Sequence, residues 1–260
     1  MDRKGKKLFP AIIAGEGIAA FVLRLMLYGF AVDEKGLLVA GHPLVVALVV
    51  LSGVTVLFAL MFGRKLDGSE KYEDNFTAST PAMLGHFAAA LGIGATILTR
   101  EPLMPGYLGQ GWKLLGYLAP VCLVAAGICR GRGKRPFFGF HLVPSLFFVF
   151  HLVNHYRSWS GEPQILEYGF AFFGTMALTL FSFYNCCFDA ETGNRPMQLF
   201  SGLAAGFLLL AELARTAYFL LYLGGLLWAF SDLCSLNPKA KPEPEPEPVP
   251  EQKEQPGEGA

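Results

Sequence analysis

Eight apolar stretches separated by short polar connections leave this chain few ways to fold. They run near residues 8–30, 43–62, 81–99, 112–129, 137–155, 167–188, 197–212 and 215–234. A bilayer crossing takes about 20 apolar residues, because an α-helix rises about 1.5 Å per residue through hydrocarbon about 30 Å thick. Lipid offers the backbone no hydrogen-bond partner, so segments that cross it close their bonds internally as helices. The expected fold is all-α, a polytopic transmembrane bundle of eight helices over residues 1–236. The chain is only 16% charged and 53% hydrophobic, where soluble domains run near a quarter charged.

The N-terminus is basic and then apolar, like a signal peptide. Its apolar run is long and holds Glu16 and Arg24, so it reads as a first membrane helix. Pro10, Pro43, Pro81 and Pro196 stand near helix starts, where a missing N–H is harmless. Pro120 and Pro144 fall inside spans and predict kinks. The last apolar block, 197–234, is too long for one span and is interrupted at Glu212–Arg215. That interruption reads as a hairpin tip. A seven-helix chain with one long tilted last helix is the alternative.

Basic residues orient the bundle, since cytoplasmic loops collect Lys and Arg. With the N-terminus inside, the cytoplasmic segments hold 15 of the 21 basic residues and the outer loops hold five, with Arg24 in the bilayer. Both termini are therefore expected in the cytoplasm, in a plasma membrane of the bacterial inner-membrane type. Residues 31–39 read as a small outer hairpin, and 67–79 as a mobile mixed-charge loop. The turn holding Arg130, Arg132, Lys134 and Arg135 is placed against anionic lipid headgroups. Residues 237–260 alternate Pro and Glu, which can neither build a helix nor bury apolar area, and predict a disordered cytoplasmic tail. A formal net charge of zero and the lack of any nucleic-acid motif argue against nucleic acid as a partner.

Polar side chains within apolar segments concentrate between His141 and Tyr168. His151 and His155 are four apart and share a helix face, with Asn154 beside them. One such pair can contribute two metal ligands, but no further ligand motif accompanies it, so neither a metal nor another cofactor is implied. Arg24 lies near the outer end of the first span. It either snorkels outward or pairs with Glu167 or Glu212. Glu16 lies deeper, and His86 enters the third span to a comparable depth from the same side, so a Glu16–His86 contact is expected. The candidate ligand site is an outward-facing pocket of Arg24, His151, Asn154, His155, Arg157 and Glu167.

Tyr156-Arg157-Ser158-Trp159-Ser160, then Glu162-Pro163-Gln164, and the stretch from Leu226-Leu227-Trp228 to Cys234-Ser235-Leu236 carry a resemblance. In these the chain resembles uncharacterised multi-span membrane proteins of clostridia-like bacteria. The resemblance implies a multi-span fold over most of the chain and brings no activity, cofactor or site residue with it. The function expected from the residues is binding, sensing or translocating a small solute. The alternatives are a membrane-embedded enzyme or redox protein that uses the histidines, and a scaffold or accessory subunit without ligand.

The charge asymmetry makes a labelling prediction. In intact cells Lys35→Cys should react with an impermeant thiol reagent and Lys134→Cys should not. The reverse pattern inverts the topology.

Overall fold

A computed structural model describes residues 3–32, 38–39, 41–64, 69–159, 161 and 165–237. Side chains of 3–10, 64, 157–159 and 165–167 lie outside the description. Among the described residues the chain is helical: α1 (Arg3–Phe30), α2 (Pro43–Arg64), α3 (Tyr72–Asn75), α4 (Thr80–Thr99), α5 (Tyr107–Gly131), α6 (Gly139–Trp159), α7 (Ile165–Asp189), α8 (Arg195–Glu212) and α9 (Phe219–Ser235). Five of them (α1, α2, α4, α5 and α7) are long and apolar enough to cross a membrane, as in a multi-pass embedded protein. The segment α6 is diluted by its histidines, and α9 is apolar but only 17 residues long.

Local chemistry sets the helix starts. Ser79 accepts from the Ala82 N–H at 3.3 Å and Asn194 from the Met197 N–H at 3.1 Å, each followed by proline in the first turn. Both caps satisfy backbone donors that a helix start leaves open. The last apolar block is two helices, because the chain turns back between Glu212 and Phe219. Pro120 and Pro144 sit within continuous α5 and α6. At the expected outer hairpin, Val32 and Leu38 form an antiparallel bridge. Residues 33–37 between them lie outside the description, as do the tail residues 238–260.

The side chains are distributed as in a body solvated by lipid. Val46, Val50, Val54, Leu57 and Met61 are exposed along α2, and Leu84, Leu91 and Leu98 along α4. Polar groups turn inward instead, and Arg24, Arg130, His86, His141, His151 and Asp232 are all essentially inaccessible. The closest helix seam joins α4 to α9. A Cβ at Gly92 would run into the Leu220–Leu221 backbone, and one at Gly224 into Ala88. Small residues are what let two backbones approach this closely.

Two ends of the bundle can be distinguished. The crown gathers the ends of α1, α4, α6 and α8 with the starts of α5, α7 and α9. The base gathers the opposite ends. Residues 69–79 correct one expectation, since this segment is a packed cover over the base. Tyr72 and Asn75 are buried, as is Phe76, which meets Phe188 edge-on at 5.2 Å. Phe76 bridges to Leu236, and the Asn237 N–H donates to the Asn75 carbonyl at 2.8 Å. The apolar pair Tyr72/Phe76 supplies the area that the surrounding charges conceal.

Phe76→Ala should destabilise the detergent-solubilised protein by about 3–5 kcal/mol, the usual cost of deleting a buried aromatic ring. The exposed neighbour Glu73→Ala should stay within about 0.5 kcal/mol of wild type. Equal thermal unfolding of the two variants would show that the segment is mobile after all.

Candidate functional site

The buried polar groups form two layers, one in each end of the bundle, with a greasy layer between them. His141 and His151 mark the layers on α6 and are ten residues apart, or about 15 Å along the axis. Phe147, Phe148, Leu178 and Phe181 fill the interval and are fully buried.

In the crown, Arg24 is ion-paired with Glu212. It also donates to the Ala211 carbonyl at 3.3 Å and lies 5.0 Å from the centroid of the Phe170 ring. This settles which carboxylate Arg24 uses among the described side chains: Glu212, at the end of α8. Glu167 and Arg157, both expected in the pocket, have side chains outside the description. The fold reason is direct, since α1 packs along α8.

His155 and His151 are engaged differently from a metal-binding pair. His155 Nδ1 lies 2.8 Å from the His151 carbonyl, so it carries the proton and donates. His155 Nε2 then accepts from the Tyr218 hydroxyl at 2.5 Å. His151 Nδ1 accepts from the Trp112 N–H at 3.4 Å, leaving its proton on Nε2, and Nε2 is buried without a partner. Asn154 Oδ1 accepts from the Met104 N–H at 2.9 Å, while its Nδ2 is likewise unpartnered. The Tyr222 hydroxyl is a third buried polar atom without a hydrogen bond, and its ring lies 6.4 Å from that of His151. Among the described residues no group of three or more His, Cys, Asp or Glu is arranged to hold a metal.

The base holds the denser network. Arg130 was placed at lipid headgroups by its basic neighbours, but it is fully buried. Its guanidinium lies 3.4 Å from the Phe76 centroid and 4.9 Å from that of Tyr72. Its Nη2 donates to Asn185 Oδ1 at 2.9 Å, and its Nε is 3.5 Å from Asp232. The last turn of α5 points this side chain inward, whereas Arg132, Lys134 and Arg135 are exposed and Arg135 pairs with Glu191. Burial raises the Tyr72 hydroxyl, partly offset by the Arg130 charge beside it.

His86 belongs to this layer and does not meet Glu16. Its Nδ1 faces the Ala82 carbonyl at 2.8 Å, and its Nε2 faces His141 Nε2 at 3.0 Å and the Trp228 N–H at 3.1 Å. Glu16 is half-buried on α1, which packs on α2 and α8, and one of its oxygens is buried without a partner. Matching depth did not bring the two together, because α4 packs on α5 and α9.

Asp189 directly follows the apolar stretch 167–188 and Asp232 lies near the end of 215–234, and neither is among the residues expected at a site. A signal did exist. Both lie in the last turn of a helix, where the backbone dipole disfavours an anion, and neither turn contains a basic residue. A carboxylate placed there needs a partner from another helix.

No protein-family model, curated protein or solved structure matches the chain. Function therefore has to be read from these two layers alone.

The crown pair can be tested by a double-mutant cycle. Arg24→Ala should strand Glu212 and cost about 3–5 kcal/mol, as when one partner of a buried pair is removed. Adding Glu212→Gln should recover much of that loss, with a coupling of about 1–3 kcal/mol. The same cycle with Glu167→Gln should be additive. Coupling to Glu167 in place of Glu212 would reassign the partner.

Proposed function

We propose that this protein binds a small, acceptor-rich solute in the crown layer, in order to carry or sense it from the outer face. The reading is supported above all by His151 Nε2–H, which is fully buried and has no acceptor. A buried donor left unmade costs about 1–3 kcal/mol, so such a group is retained where something else completes it. Asn154 Nδ2 adds a further incomplete position. Arg24 is neutralised by Glu212, so the positive charge beside this wall is Arg100, which lies 5.6 Å from the centroid of the Tyr218 ring. A solute presenting carboxylate or carbonyl oxygens fits this set of donors, with His155 and Tyr218 forming a wall that their mutual hydrogen bond holds in place.

The test is a thermal-shift screen of the purified protein in lipid nanodiscs against small mono- and dicarboxylates, inorganic phosphate and neutral polyols. A carboxylate that raises the melting temperature should lose affinity about 10-fold or more in His151→Ala or Asn154→Ala, the loss of one hydrogen bond to a charged group. Stabilisation by no anion, or stabilisation indifferent to both substitutions, would remove the crown as the binding layer.

A further inference from the structure

The base layer contains a chain of four groups in which the hydrogens can be placed from geometry. Asp189 Oδ2 lies 2.5 Å from His141 Nδ1, and His141 Nε2 lies 3.0 Å from His86 Nε2. His86 Nδ1 faces the Ala82 carbonyl, which only accepts, so this nitrogen carries a proton. The Trp228 N–H points at His86 Nε2, and an indole only donates, so this nitrogen presents its lone pair. Two imidazole nitrogens at 3.0 Å need one hydrogen between them, and it must therefore belong to His141, whose N–H shares the single His86 Nε2 lone pair with the Trp228 N–H. The remaining short contact, between His141 Nδ1 and Asp189, needs another. His141 and Asp189 thus hold one proton more than a neutral imidazole and a carboxylate would.

We propose that the His141–Asp189 pair is a proton-binding site, distinct from the crown layer, and that the geometry described is its loaded state. Removing the proton leaves one of two arrangements. If Nε2 keeps its hydrogen, the Nδ1 lone pair faces the carboxylate. If Nδ1 keeps it, two lone pairs meet between His141 and His86. Either way a contact tying α6 to α7 or to α4 must open, so proton occupancy and helix packing change together. Trp228 reports on both, since its ring stacks parallel to that of His141 with centroids 5.9 Å apart.

The surroundings favour the loaded state. Arg130 from α5 and Asp232 from α9 compensate each other, so these two and the His141–Asp189 pair sum to zero with the proton and to one negative charge without it. An unpaired charge in a dry membrane interior is costly. The thiols of Cys186 and Cys187 on α7 and the Tyr72 hydroxyl lie within electrostatic reach of Asp189. From α8 come the neutral Gln198 and, a turn earlier, the buried Arg195, which donates to the Asn237 carbonyl. Arg130 Nε and Nη1 and Asn185 Nδ2 are buried donors without hydrogen bonds, and both Asp232 oxygens, Asp189 Oδ1 and Gln198 Oε1 are buried acceptors without them.

The test counts protons on the full-length protein in nanodiscs at pH 8, where an ordinary histidine is neutral. Of the five histidines, the same reasoning makes His86, His151 and His155 singly protonated. With uniformly 15N-histidine-labelled protein, one imidazole should show both ring nitrogens protonated. If the proton rests on the oxygen side, the infrared spectrum should instead show a protonated-carboxyl band. The imidazole signal should vanish in His141→Gln and in Asp189→Asn, and the carboxyl band in Asp189→Asn. Either signal should survive His151→Gln, which disables the crown and so separates this site from the proposed solute site. A wild-type spectrum with neither signal, or an imidazole signal that persists in His141→Gln, overturns the proposal.

Discussion

Arg130 carries a permanent charge into a place that neither water nor lipid headgroup reaches, and the arrangement at the base follows from how that charge is compensated. Its counter-charge, Asp232, comes from α9, and its hydrogen-bond acceptor, Asn185, comes from α7. Its cation–π partners come from the segment that covers the base. One side chain thereby commits three parts of the chain to a common position. Apolar packing alone sets no such requirement within lipid, because tails are as apolar as the side chains they would displace. The small-residue seam between α4 and α9 supplies close approach, and the buried charges supply its register.

The two polar layers differ in character. The base is internally matched: cations, anions and amides occur in compensating numbers, and its unsatisfied atoms include both donors and acceptors. The crown is unmatched, and the atoms left over on His151 and Asn154 are donors. A matched layer suits a resident proton, while an unmatched one suits an arriving solute. The phenylalanine-rich layer between them breaks the hydrogen-bonded contacts of one layer from those of the other.

How much of this was legible in the amino-acid order varies with the physics involved. Apolar length is a one-dimensional property, and the eight long helices fall where the apolar stretches do. The crown histidines were legible because i,i+4 spacing fixes a shared face on one helix. Arg24 could be narrowed to two carboxylates by depth, but choosing Glu212 required knowing that α1 packs along α8. Rotation about a helix axis is not encoded locally, which is why Arg130 turns inward and not to the headgroups, and neighbour choice is not encoded either, which is why Glu16 and His86 do not meet. Residues 69–79 misled for another reason: Glu70, Lys71, Glu73 and Asp74 mask the buried pair Tyr72 and Phe76 when composition is averaged.

The separation in sequence between each buried arginine and its carboxylate bears on how the protein is made. Arg24 is 188 positions ahead of Glu212, and Asp232 likewise lies far behind Arg130. A ribosome therefore releases both cations long before either anion exists. Until the final helical hairpin emerges, the nascent chain holds two arginines whose partners have not been synthesised. That hairpin, α8 with α9, delivers both carboxylates at once, and Asn237 then fastens the cover over the base. Insertion of α8 and α9 is thus the step that supplies both counter-charges, and a chain truncated before them keeps two stranded cations.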